Sequence, residues 1–178
     1  LLISTGVGLR LLQLYSPLLM LQVELDDKKK SSNLSVSSTG DEISINHTLN
    51  EKLKPYGESP SGMPGVETSL AIMLDKVNRN ECTLNEVVYW MSASPAKLYK
   101  MVRKGSIEVG NDADLVLIDM NMKKKVKNGQ LQTKVNWSPY HGMELQGWPV
   151  RTIVNGQTVF LNGEVDKNVR GKEITFAS

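Results

Sequence analysis

The sequence predicts an α/β chain in which helices come first and an antiparallel β unit follows. Three observations carry this. From Val66 to Met91 apolar residues recur at helical spacing. Beyond Gly105 the period shifts towards two, as half-buried strands require. Two Asn-Gly pairs, Asn155-Gly156 and Asn162-Gly163, then punctuate the last part of the chain as two-residue hairpin turns.

Val66, Leu70, Met73, Leu74 and Val77 fall on one face of a helix over 66–79, whose start Pro64-Gly65 sets. Thr83-Leu84-Asn85-Glu86 reads as a capping box. Leu84, Val87, Val88 and Met91 line the helix that follows. Ser94-Pro95 restarts the chain, with Ser94 as N-cap and Pro95 in the first turn of a short helix ending near Met101. Ala113 to Asp119 reads as a largely buried strand ending at Asp119. Val150–Val154 and Gln157–Leu161 form a hairpin across Asn155-Gly156.

The first 46 residues differ in character. Residues 1–23 are leucine-rich, but Gly6, Gly8, Arg10 and Pro17 interrupt them, and Leu11 to Val23 is too short to span a membrane. Arg10 followed by Leu11–Leu21 is a poor match to a secretory signal. Residues 24–46 begin with charges and continue through Ser31 to Gly40 with linker composition.

The 178 residues carry a net charge of only +2, without the clustered basic face that nucleic acid demands. Lys28-Lys29-Lys30 and Lys123-Lys124-Lys125 read as solvated surface. The lone Cys82 excludes an intrachain disulfide, fits a reducing compartment and suits a small buried apolar role. His47 and His141 are too few for a His-rich zinc site, and no HxH, HExxH or CxxC pattern occurs. Asp112 and Asp114 read as turn and strand-edge residues at Gly110-Asn111. Glu67 sits where the helix dipole favours a carboxylate. His141 reads as a loop residue, and Trp90, Trp137 and Trp148 as packing residues.

Several blocks stand in order over residues 47–178: His47-Thr48-Leu49-Asn50-Glu51-Lys52, Ser61 to Thr68, Ser94-Pro95-Ala96-Lys97, Gly105 to Val116, Trp137 to Met143 and Val150 to Phe160. In that order and at that spacing they resemble dihydroorotases, the cyclic amide hydrolases of pyrimidine synthesis. The resemblance implies a fold class: the C-terminal remnant of a (β/α)8 amidohydrolase barrel plus a small antiparallel β-sandwich domain. Its divisions are an unaligned segment at 1–46, disordered or frame-shifted, the end of the barrel at 47–104 and the β domain at 105–178.

The resemblance also implies roles. His47 matches the family's histidine for the substrate carboxylate, and Ser61 and Gly62 match the loop pair whose backbone contacts the dihydroorotate ring. The chemistry suits those positions: a strong donor fits a carboxylate, and glycine admits close backbone approach. The family's catalytic Asp, a metal ligand, has its counterpart at Ile43. No catalytic or metal-binding residue carries over. Zinc is the family's cofactor, and none is expected to bind this chain alone.

The implied activity is reversible hydrolysis of dihydroorotate to N-carbamoyl-aspartate, with this chain a truncated or degenerate form inactive by itself. One alternative is a non-catalytic paralogue that binds an active dihydroorotase or the preceding pathway enzyme. Another is a segment of a hydantoinase or allantoinase, against which the Ser61–Thr68 and Trp137–Met143 blocks weigh. The expected setting is cytoplasmic, with no nucleic acid or membrane partner and with a homo-oligomer or a pathway enzyme as the expected association.

Overall fold

The computed structural model describes residues 9–12, 48–59 and 62–178. A short helix, α1 (Leu49–Lys52), opens the segment 48–59. Its capping box uses Thr48, whose hydroxyl accepts from Glu51 N while the Glu51 carboxylate accepts from Thr48 N.

The long helix α2 (Val66–Asn78) begins after Gly65 and ends where expected. Its end is a Schellman turn. Asn80 adopts φ +59° or so, Asn80 N donates to Val77 O, and Glu81 N donates to Lys76 O. The buried face differs from the one read from periodicity. Thr68, Ala71, Leu74 and Asp75 are buried, while Val66, Leu70, Met73 and Val77 are only half-buried. The reason is the surface beneath: α2 lies on a sheet at a point where small and polar side chains are required.

α3 (Leu84–Val88) carries the second capping box, with Thr83 and Glu86 bonded reciprocally. The expected restart at Ser94 does not occur. A π-helical turn over Tyr89–Ala93 joins α3 to α4 (Ser94–Leu98), and Ser94 has helical dihedrals rather than an N-cap's. Ser94 N donates to Tyr89 O, so the widened turn carries the helix up to Pro95, which has no N–H to contribute. Trp90 projects from this turn with 47% of its surface exposed, and its reading as a packing residue is corrected.

Five strands form one antiparallel sheet in the order β1 (Leu9–Leu12), β2 (Leu115–Lys125), β3 (Glu144–Val154), β4 (Gln157–Leu161) and β5 (Glu164–Val165). Thus a strand from the leucine-rich beginning pairs with β2, Leu12 opposite Val116. Among the described residues the layer over this sheet is a helix; no second sheet completes a sandwich. Both Asn-Gly turns form, with positive φ at each Asn and Gly, which is the type I′ geometry. β2 runs past Asp119 to Lys125, so Asp119 does not end it. Asp119 instead accepts from Asn121 N and Met122 N inside a bulge of β2 against β3. Lys123, Lys124 and Lys125 are exposed as expected, although they lie on a strand.

The core sits between α2 and the sheet. Leu74 packs with Val116 and Ile118, and Ala71 with Val126 and Leu145. At the bulge the sheet's backbone needs partners, and α2 supplies them. Asn78 Nδ2 donates to Met120 O (3.0 Å) and Gln146 O (2.8 Å), while Asp75 accepts from Gln146 N (2.9 Å). Gly147, at φ +104°, lets Leu74 approach so closely that a Cβ there would lie 2.6 Å from Leu74 Cβ.

Candidate functional site

Of the sequence-derived site residues, Gly62 lies in the loop before α2. Gly62 is exposed and takes φ +82°, a conformation open to glycine at little cost. His47 and Ser61 lie outside the described residues. Of the three residues implied by resemblance, the structure therefore places only Gly62, three residues ahead of the Gly65 cap of α2.

The start of α2 is tied to a second loop by Glu67. Its Oε2 accepts from Gln132 N at 2.9 Å and Thr133 N at 3.3 Å. Partial burial raises the Glu67 pKa above its ordinary value, and the two backbone donors pull it back only in part. Periodicity located Glu67 at a helix start, but the partner loop lies 65 residues away and left no local signal.

That second loop, between β2 and β3, is rigid by its own bonding. Asn128 Oδ1 accepts from Ser138 N (3.0 Å), Ser138 Oγ accepts from Tyr140 N (3.2 Å), and His141 Nδ1 accepts from Asn128 N (3.2 Å). Trp137 and Ser138 are each only 5% exposed. Trp148 packs on the Ala71–Val126–Leu145 cluster, donates from Nε1 to Leu145 O, and lies under Lys124. Cys82 is half-buried with a free thiol.

A second constellation was not legible. Lys104, its side chain 5% exposed, pairs with Asp112 (2.9 Å) and with Asp114. Arg103 also reaches Asp112 (2.8 Å), and Asp114 accepts from Asn155 N (2.7 Å) at the β3–β4 turn. Asp112 and Asp114 are thus members of a buried ion network, which goes beyond their reading as turn and edge residues. Lys104 is the member sequence reasoning missed.

These observations also test the donor set against a zinc centre. Among the described residues no group of three or more His, Cys, Asp or Glu is placed to hold a metal. The Asp112–Asp114 pair is engaged by cations and an amide, and His141 Nδ1 by an N–H. The described residues do not fit zinc, so no step through a metal is derived for them. No helix among them is long and apolar enough to cross a membrane.

Comparison with known proteins places this arrangement. The model of the amidohydrolase family matches residues 56–159, which include the Gly62 loop, α2 and the β2–β3 loop. A second model, of a protein family of unknown function, matches residues 12–53. A dihydroorotase of Pyrococcus horikoshii is 38% identical over 128 residues, covering 72% of this chain and 30% of its own length. An L-hydantoinase of Paenarthrobacter aurescens is 39% identical over 114 residues, covering 63% and 25% respectively. Among solved structures, the L-hydantoinase (dihydropyrimidinase) from Arthrobacter aurescens superposes with a TM-score of 0.63 at 37% identity, over 66% of this chain and 27% of that one. The chain spans less than a third of the length of these relatives. With its family match running through more than half its length, this chain belongs to the amidohydrolase family.

Proposed function

We propose that this chain supplies the substrate-loop and C-terminal β portion of a dihydroorotase-like cyclic amidohydrolase, whose reaction is hydrolysis of the dihydroorotate ring to N-carbamoyl-aspartate. One observation carries the reading: 38% identity over 128 residues to a dihydroorotase, in a chain whose family match includes the Gly62 loop. In this account His47 holds the substrate carboxylate, and the Ser61-Gly62 backbone lies against the ring. The positive φ of Gly62 supports that role, because a side chain there would hold the ring off the peptide. The chemistry at the scissile amide belongs to zinc in the family. In this reading the chain by itself binds without turning over.

A second reading, a hydantoinase-type substrate, rests on the L-hydantoinase match in both sequence and structure. The two differ in what the loop recognises: dihydroorotate carries a carboxylate for His47, and a 5-alkyl hydantoin does not. The test is titration of the 15N-labelled chain with each ligand. Dihydroorotate is expected to shift the Gly62 amide with a Kd on the order of 1 mM, about −4 kcal/mol, and His47→Ala to abolish the shift. Zinc added to the purified chain is expected to give no ring opening. A Gly62 response to the hydantoin alone would favour the second reading. Silence towards both ligands at about ten times that concentration, or zinc-dependent turnover, would overturn the proposal.

A further inference from the structure

We infer that Glu67 is a positioning residue for the substrate loop, holding Gly62 in place through the backbone of the β2–β3 loop. The inference deepens the proposed function and rests on its assignment of the Gly62 loop to the cyclic amide. α1 and α3 each begin with a capping box, but α2, the longest helix, has no side-chain hydrogen bond at its Gly65 cap. A Cβ added at Gly65 would meet nothing within 4 Å, and Met63 stands half in solvent, so packing does not brace the end of the loop either. The body of α2 is fastened at Leu74, Asp75 and Asn78. Asp75 stands about 12 Å further along the axis than Glu67, too far to fix the first turn.

Glu67 supplies that missing anchor. Its carboxylate accepts from Gln132 N through both oxygens (3.1 and 2.9 Å) and from Thr133 N (3.3 Å). Bonds to a charged acceptor are stronger than neutral ones. What Glu67 grips is itself fixed. Leu131, next to Gln132, packs on the Ala71–Val126–Leu145 cluster, and the bonds among Asn128, Ser138 and Tyr140 brace the rest of the loop. From Glu67 the constraint runs back along the chain. Thr68 is buried and donates from both N and Oγ1 to Gly65 O, each at 3.3 Å. Pro64 then fixes its own φ, so few free torsions separate the clamp from Gly62. A ring laid on the Gly62 peptide needs that peptide in one orientation, and a loop ordered beforehand spares the ligand the cost of ordering it.

The experiment measures 15N relaxation on the full chain without ligand and then titrates dihydroorotate. The Gly62 amide is expected to be rigid in the parent chain, with an order parameter of about 0.8. Glu67→Ala is expected to lower it below about 0.6 and to weaken dihydroorotate about tenfold, or about 1.4 kcal/mol. Gln132→Pro removes the stronger donor from the far side and leaves α2 untouched. Leu131 has φ −84° and ψ 147°, the conformation a following proline favours, so the loop accepts the change. This variant is expected to loosen Gly62 in the same way. A role of Glu67 confined to its own helix, through the dipole or propensity, would respond to Glu67→Ala alone. Glu67→Gln keeps one acceptor oxygen and is expected to restore part of the order. Gly156→Ala, which strains the β3–β4 turn, is expected to leave Gly62 rigid, and urea unfolding checks that every variant is folded. A Gly62 amide already mobile in the parent chain, order retained in Gln132→Pro, or unchanged affinity in a loosened variant would each overturn the inference. The relaxation data need no ligand. Silence of the parent chain towards both cyclic amides therefore defeats the proposed function, and the clamp is then judged on Gly62 order alone.

Discussion

Replacing Gly147 with alanine tests how α2 is seated on the sheet. The new methyl group would lie 2.6 Å from Leu74 Cβ, 3.3 Å from Asn78 Nδ2 and 3.4 Å from the Leu74 carbonyl carbon. The first contact is about 1 Å inside ordinary packing distance, and its partner is the root of a buried side chain, which cannot swing away. Relief requires α2 to lift. That stretches the Asn78 bonds to Met120 and Gln146 and the Asp75 bond to Gln146, all between 2.8 and 3.0 Å. Overpacking costs about 1–3 kcal/mol, a positive-φ alanine about 1–2 kcal/mol, and each weakened hydrogen bond about 1 kcal/mol. A loss of about 3–5 kcal/mol is expected in urea unfolding, with a midpoint shift in heat of roughly 10 °C or more. Gly156→Ala is the control. Gly156 has φ +81° but nothing within 4 Å of the added carbon, so it carries the backbone term alone, about 1–2 kcal/mol. Equal losses for the two variants, or a loss below about 1 kcal/mol for Gly147→Ala, would refute the reasoning that the close approach of α2 is what demands glycine.

Two further outcomes follow from the ion network and from Glu67. Asp114→Ala leaves the buried Lys104 cation with Asp112 alone and removes the acceptor for Asn155 N, so a loss of about 3 kcal/mol is expected in the same unfolding assay. Asp112→Ala should cost less, because Asp114 stays on Lys104 and Arg103 is solvent-exposed; the reverse order would refute the assignment of Asp114 as the inner member. Glu67 has a folded pKa above its unfolded one, so the folded state holds the proton more tightly. Its contribution favours folding at low pH and is lost as pH rises from the ordinary glutamate value through the raised one. Glu67→Gln should remove that part of the slope, and an unchanged stability–pH profile would refute it.

The sequence disclosed what is set locally. The Thr83–Glu86 box, both Asn-Gly hairpins, the span of β4 and the limits of α2 all depend on neighbours a few residues apart. What stayed hidden depends on distant partners. The face of α2 was read in part: Leu74 is its buried centre, but Ala71 joins it against the sheet, and Asp75 and Asn78, which hydropathy assigns to solvent, bond the sheet's backbone. Lys104 looked like any surface lysine until the fold brought Asp114 to it. Ser94-Pro95 has the local chemistry of a helix start, and only the π turn ahead of it shows why the helix continues. In the candidate site, Gly62 was reached through the family resemblance of its loop, whereas the Glu67 clamp spans two loops that no local pattern connects.

The strand order also fixes a sequence of events in folding. β2 through β5 form a meander, and its last two turns are two-residue hairpins that close on the microsecond scale. β1 is different: Leu12 meets Val116 only when about a hundred residues of chain have been gathered into a loop. That closure is rewarded by one edge ladder of four residues. The edge strand therefore joins a sheet that already exists and leaves it first. Its amides are the ones that exchange with solvent while the α2–β2–β3 core is still intact.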